Sequence, residues 1–333
     1  MDIELGRLGV SFSLRQLHDF EETERLTLLA EQLGFDSVWI PEAWGRDSFT
    51  VLAALAMKTR NIRLATGIVN VFSRTPALVA QSIASLDDIS GGRAILGLGA
   101  SGPRVVERWH GLQFENVLQR TREFVEVVRA VLAGGPVTYH GQIFRISDFS
   151  LGFKPPRSRI PIFLAALGPA NVRLTAEIAD GWLPIFASSR LLSQAAPWIE
   201  EGVERARRRR EDVAVASYIP TLIGSSADDV LRRHLAFYIG AMGSYYYRLM
   251  VRSGWEREAR AARDLWRAGS RLEATAAITD DMLRSTTIGG TPSEARRRLE
   301  IFRRDGVSLP ILAIPGGAPS PAIRATLEAL GTG

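Results

Sequence analysis

The chain contains no cysteine, which excludes disulfides, thiolate catalysis and cysteine-ligated zinc. Histidine is scarce. His18, His110, His140 and His234 stand far apart, with no H-x-x-x-H or H-E-x-x-H pair, so the sequence offers no metal site. Lysine is nearly missing as well: of 41 basic residues only Lys58 and Lys154 are lysines, and so complete an exchange for arginine reads as genome composition. The formal net charge of +5 is therefore weak grounds for a nucleic-acid partner. The one dense basic run, Arg205 to Arg210, lies at helical spacing near Glu200, Glu201, Glu204 and Glu211 without an aromatic stacking platform, the pattern of a solvated helix face. No apolar run approaches the roughly 18 residues of a membrane span, and the N-terminus has no basic-then-apolar signal. A cytoplasmic protein with no membrane or nucleic-acid partner is expected.

At 333 residues and 46% hydrophobic content, the chain can bury a large core as two ordinary domains or as one α/β barrel. No linker-like break favours two. Apolar runs and helical periodicities alternate: strands at Leu8 to Phe12, Ser37 to Ile40, Ile62 to Gly67, Ala94 to Gly99, Ile162 to Ala166, Gly181 to Leu183, Val213 to Ile223 and Leu309 to Ile314 are separated by helices such as Phe20 to Leu33, Phe49 to Thr59, Pro76 to Ile89 and Leu118 to Leu132. Eight strands alternating with helices fit a single (β/α)8 TIM barrel over residues 1–333 better than a doubly wound sheet. Two gaps are long, after the fourth strand and after the seventh. Insertions in barrels usually follow a strand on the ligand-binding face, so Tyr139 to Arg159 and Ala227 to Leu283 are both expected as lids.

Residues 86–102, LDDISGGRAILGLGASG, hold a helix end, a buried strand and a glycine loop in one run. Gly97, Gly99 and Gly102 spell G-x-G-x-x-G, but Pro103 follows, the next clear helix begins near Leu118, and the extended stretch Val137 to His140 ends without a carboxylate. A dinucleotide fingerprint needs an immediate helix and an acidic residue about 20 residues on. What stays open is a plain tight turn or a bare backbone that approaches a phosphate or a flat ring. Gly168 to Asn171, before a helix from Val172, is either an ordinary N-cap or a phosphate site. The later Thr291-Pro292-Ser293-Glu294 reads as plain capping. Glu42, at the end of the second strand beside Trp44, is either a proton donor with a raised pKa or a rim carboxylate paired with Arg46.

Taken together, GFDSVWIPE, ATGIVNVFSRTPALVAQSIASLDDISGGRAILGLGASG, AALGPANVRLTAEIADGWLP, TTIGGTPSEARRRLEIFRRDGV and the insertion motif GAMGSYYYRLMVRSGW resemble the bacterial-luciferase-like superfamily. The resemblance is to its F420-dependent oxidoreductase branch, which includes methylenetetrahydromethanopterin reductase and F420-dependent glucose-6-phosphate dehydrogenase. It implies an enzyme that binds the deazaflavin coenzyme F420 at the strand C-termini and transfers a hydride to or from a small-molecule substrate. The ring is then expected by Glu42, Ala43, Gly67, Ile68, Val69, Gly97, Gly99, Ala100 and Ser101, with Glu42 as the catalytic candidate. The phosphate is expected on Ala165, Ala166, Gly168, Pro169, Ala170 and Asn171. A non-proline cis peptide between Gly67 and Ile68 is implied too, and a homodimer is the expected assembly. Ser11, Ala100 and Ser101 stand where the methanopterin-specific reductases carry acidic residues, which argues against methanopterin as substrate. The alternatives are an FMN-dependent monooxygenase on the same fold and a non-catalytic ligand-binding barrel; the rim glycines and Glu42 speak against the latter.

Overall fold

Short apolar strands buried on both faces dominate the computed structural model, which describes residues 8–13 and 19–331. They are β1 (Gly9–Ser11), β2 (Ser37–Ile40), β3 (Arg63–Thr66, continued by Val69–Asn70), β4 (Ala94–Gly99), β5 (Ile162–Ala165), β6 (Gly181–Trp182), β7 (Ala214–Pro220) and β8 (Leu309–Ala313). Each pairs in parallel with the next, and β1 closes on β8 through Gly9 opposite Ile311. This is the expected (β/α)8 barrel. Successive side chains of a strand point to opposite faces, and the sequence uses both. Trp39, Ala65, Ile95, Phe163, Leu183, Ala216, Leu309 and Ile311 fill the lumen, while Val38, Ile40, Leu64, Leu96 and Leu164 join the larger core under the helices. In the lumen Trp39 meets Phe163 and Tyr218 edge-on, with ring centroids 5.5 and 6.1 Å apart, the arrangement that aromatic quadrupoles favour.

Ion pairs fix the N-terminal ends of β4 and β5. The fully buried Asp87 accepts from Arg157 Nε at 3.0 Å and from the Ala94 N–H at 3.2 Å, and Arg157 also donates to the Ala94 carbonyl at 2.7 Å. Asp180 accepts from Arg129 and Arg159, each at 2.6 Å, and from the Ile162 N–H at 2.9 Å. Burial opposes the ionisation of Asp180, yet Arg129, the Ile162 N–H and Arg159 outweigh it and hold the carboxyl below its usual range.

Three sequence expectations need correction. Residues 139–159 do not cover the mouth: strands Val137–His140 and Arg145–Phe149 form an antiparallel hairpin. Its tip is held by Glu123, in helix Val117–Ala133, which accepts from the N–H groups of Gln142, Ile143 and Phe144 at 2.8, 2.9 and 2.9 Å. The segment then ends at the foot of the barrel through Arg157 and Arg159. It follows a helix rather than a strand, so the chain has already descended. Second, a short helix, Pro103–Arg108, starts directly after Gly102, where none was expected before Leu118. Third, the basic run is not a helix face. Helix Ser189–Arg205 stops at its first residue, and Arg208 turns under it to donate to the carbonyls of Ala176 and Ala179 at 2.9 and 2.7 Å. The long connection after β7 does stay helical, as Ala227–Ala241, Ser244–Arg252, Glu256–Arg267, Arg271–Ala276 and Asp280–Thr286. Among the described residues no helix is long and apolar enough to cross a membrane.

Asp180→Asn is expected to lower stability at pH 7 by about 2 to 4 kcal/mol, because it leaves two guanidinium groups facing a neutral amide. A carboxyl with a lowered folded pKa contributes stability above its unfolded value near 3.8 and loses it as the pH falls towards the folded value. Urea unfolding at pH 7 and pH 3 should therefore show the difference between variant and wild type shrinking at the lower pH; a constant difference would remove Asp180 from the acid response.

Candidate functional site

The floor of the site is built where the β3–β4 ladder breaks. Leu64 and Ala65 pair with Ala94 and Ile95, and Val69 and Asn70 pair with Leu98 and Gly99. Between them the peptide Gly67–Ile68 is cis, as the resemblance implied. Gly97, left without a backbone partner on that side, is satisfied by Thr66: the hydroxyl donates to the Gly97 carbonyl and accepts from its N–H, both at 2.8 Å. Glycine is required there because a Cβ at position 97 would lie 2.1 Å from the Thr66 carbonyl oxygen. Ile68 then reaches over Gly99, whose added Cβ would sit 3.0 Å from Ile68 Cδ1. From the far side of the lumen the Tyr218 hydroxyl donates to the Gly67 carbonyl at 3.2 Å.

Above Ile68 and Gly99 opens a cavity of about 810 Å³. Its walls come from the loop after β4 (Ala100, Ser101, Gly102), the loop after β5 (Ala166, Leu167, Gly168, Asn171) and the first two lid helices (Phe237, Met242, Tyr245, Tyr246). Trp44 and Trp109 stand on the rim, edge-to-face at 4.9 Å. The charges in the lining are of one sign: Arg104, Arg248 and Arg252 contribute, and no carboxylate does among the described residues. Arg252 donates to the Leu167 carbonyl, and its buried Nε has no hydrogen-bond partner. Burial, with Arg248 nearby, pulls this guanidinium below the usual arginine range. Next to it, helix Pro169–Ile178 begins at Gly168 with no side-chain cap. Its first N–H groups and the positive end of its dipole are thus free for an anion.

Of the residues expected at the cofactor, Ile68, Gly99, Ala100, Ser101, Ala165, Ala166, Gly168 and Asn171 line this cavity. Glu42, Ala43, Gly67, Val69, Gly97, Pro169 and Ala170 do not. Gly67 and Gly97 form the bulge beneath it, Val69 is buried in the outer core, and Pro169 and Ala170 occupy the first helical turn. Glu42 is engaged outside the lining. Its carboxylate accepts from Arg74 Nε at 3.1 Å, Arg74 Nη2 at 2.9 Å and the Ser48 N–H at 3.1 Å. Asp47 binds the same guanidinium, and the two acids hold Arg74 above the usual arginine range. With both oxygens engaged by donors, Glu42 braces the loop after β2, and the ion pair it makes is with Arg74. Sequence reasoning passed over Arg248 and Arg252, although their i, i+4 spacing in the SYYYRLMVR helix already puts them on one face.

A family model described as luciferase-like monooxygenase matches residues 6–309. A Mycobacterium tuberculosis protein with the provisional name coenzyme F420-dependent oxidoreductase is 38% identical, over 92% of this chain and 94% of its own. The 5,10-methylenetetrahydromethanopterin reductase of Archaeoglobus fulgidus is 32% identical over 90% of this chain and 91% of its own. Among solved structures, the coenzyme F420-dependent tetrahydromethanopterin reductase of Methanopyrus kandleri superimposes with a TM-score of 0.86 at 26% identity, covering 98% of this chain and 97% of its own. A family match that spans almost the whole barrel, joined by relatives above 30% identity along nine-tenths of the chain, means that this protein belongs to the luciferase-like monooxygenase family.

Proposed function

We propose that the chain is an F420-dependent oxidoreductase that moves a hydride between the deazaflavin and a small organic substrate. The observation that carries this reading is the pairing, in one cavity, of an apolar floor at Ile68 and Gly99 with an anion-binding end made by Arg252 and the uncapped helix at Gly168. A flat ring joined to a phosphate needs both. The unpartnered Arg252 Nε can donate to an anion, so the residues present fit the group. F420 supplies the hydride-carrying carbon when bound. The chain's own residues orient it: Ile68 and Gly99 support the ring face, Ala165 and Ala166 bound one edge, and Gly168, Asn171 and Arg252 hold the phosphate. FMN also carries a ring and a phosphate, and the fold alone does not separate the two. The choice of F420 rests on relatives at 38% and 32% identity that are named for it or for methylenetetrahydromethanopterin reduction.

Two substitutions test the anion end. A Cβ at Gly168 would meet nothing within 4 Å and its φ is ordinary, so Gly168→Leu should fold normally while its side chain fills phosphate space. Arg252→Met should likewise keep the helix and lose the charge. Each is expected to weaken F420 binding, measured by fluorescence titration, roughly tenfold to a hundredfold, the loss of one charge-assisted hydrogen bond or more. Stoichiometric FMN binding with no F420 affinity would promote the monooxygenase reading instead. A separate expectation concerns Glu42→Gln: kcat should stay within about threefold of wild type while thermal stability falls, since the Arg74 bridge costs about 1 to 3 kcal/mol to break. A hundredfold loss of kcat with unchanged stability would return Glu42 to the chemistry.

A further inference from the structure

Hydride transfer to a carbon atom leaves a proton to be delivered to the neighbouring heteroatom, and among the described residues no carboxylate lines the cavity. The lid offers another source. His234 and Tyr238 of helix Ala227–Ala241 and Tyr246 of helix Ser244–Arg252 gather around Phe186. Tyr238 meets Tyr246 edge-on at 4.7 Å, His234 stands 4.8 Å from Tyr238, and the fully buried Phe186 lies 5.2 Å from Tyr238. The cluster sits over the site's floor: Phe186 follows Ile185, which lines the cavity and bridges to Tyr218, and Tyr218 reaches the Gly67 carbonyl.

Three properties single out these side chains. The two phenols and the imidazole have no hydrogen-bond partner among the described residues, although all three rings are half-buried. Their polar atoms are not sealed from solvent, so each is open to a ligand or to water. All three are uncharged near neutrality: burial pushes both phenols up, with Tyr238 adding to the effect on Tyr246, and pulls the imidazole down to about 4. Of the three, only Tyr246 lines the cavity.

We propose that Tyr246 is the proton-transferring residue, and that its phenol, packed against Tyr238 beside His234, receives the oxygen of an uncharged ketone or secondary alcohol. This assignment rests on the oxidoreductase reading above. In the reductive direction the carbonyl π bond breaks, and the carbon forms a C–H bond with the hydride pair drawn from the reduced deazaflavin. The oxygen forms an O–H bond with the phenol proton of Tyr246, and the phenolate regains a proton from water at the mouth. Alcohol oxidation runs the same steps backwards. An ionised substrate head is disfavoured at this end because the cluster supplies no countercharge, whereas an anionic tail has Arg104 and Arg248 towards the rim.

The test compares wild type, Tyr246→Phe and Tyr247→Phe; the Tyr247 ring packs against Arg263 at 3.7 Å and lies outside the cavity lining. Cyclohexanone is titrated calorimetrically into protein holding oxidised F420, a mixture that cannot turn over, and into protein without cofactor. Tyr246→Phe should weaken ketone binding about threefold to tenfold, one neutral hydrogen bond, and Tyr247→Phe should match wild type. With reduced F420, Tyr246→Phe should lower kcat for cyclohexanone at least about a hundredfold, the usual scale of a general acid, with a much smaller change in KM and an unchanged affinity for F420. Equal ketone affinity in Tyr246→Phe and wild type, or no ketone binding by wild type, overturns the assignment. Failure of wild type to bind F420 sinks the cofactor reading instead, and the cofactor-free titration still reads Tyr246.

Discussion

The hydroxyl of Thr66 takes over both backbone groups of Gly97 at the level where the β3–β4 ladder is interrupted, and the cavity depends on that exchange. A buried peptide group without a partner costs free energy comparable to a lost hydrogen bond, so a break in a barrel strand survives only where something replaces the ladder. Thr66 replaces it from the strand itself. The chain is then free to turn at Gly67, bring Ile68 inward and present an apolar surface over Gly99. The same approach leaves no room for a side chain at position 97. Gly97 and Gly99 of the GLGASG run are thus each explained by a close approach across the bulge.

Legibility in the sequence followed the range of the interactions. Ser37–Ile40, Pro76–Ile89 and Ala94–Gly99 appear with the bounds their patterns indicated, because a buried strand and a helix closed by glycine announce themselves locally. Glu42 was visible as a carboxylate at a strand end. Its engagement was not, because Arg74 lies 32 positions further on and only the folded barrel brings the two loops together. The hairpin at 137–149 was misplaced for a similar reason: length alone does not tell whether an insertion follows a strand or a helix, and Glu123 decides where its tip lies. The cluster of Phe186, His234, Tyr238 and Tyr246 joins a strand extension to two lid helices. Nothing in the spacing of its members reveals it.

Electrostatics divides the molecule along the barrel axis. At the foot, buried Asp87 faces Arg157 and buried Asp180 faces Arg129 and Arg159, each also accepting a backbone N–H, so charge is neutralised and holds strand ends in place. At the mouth, arginines stand without acids among the described lining residues. An unbalanced charge at low dielectric attracts a counter-ion strongly, which suits that end to an anion and the other to support.

The foot of the barrel also bears on how such a protein diversifies. Arg157 and Arg159 tie the hairpin segment to Asp87 and Asp180 at the opposite end of the strands from the cavity. Changes in the lid helices or in the loop after β4 therefore leave the clamps untouched, and the clamps do not constrain which small molecule is admitted. A lineage that inherits this scaffold can trade one substrate for another by drift at the mouth alone.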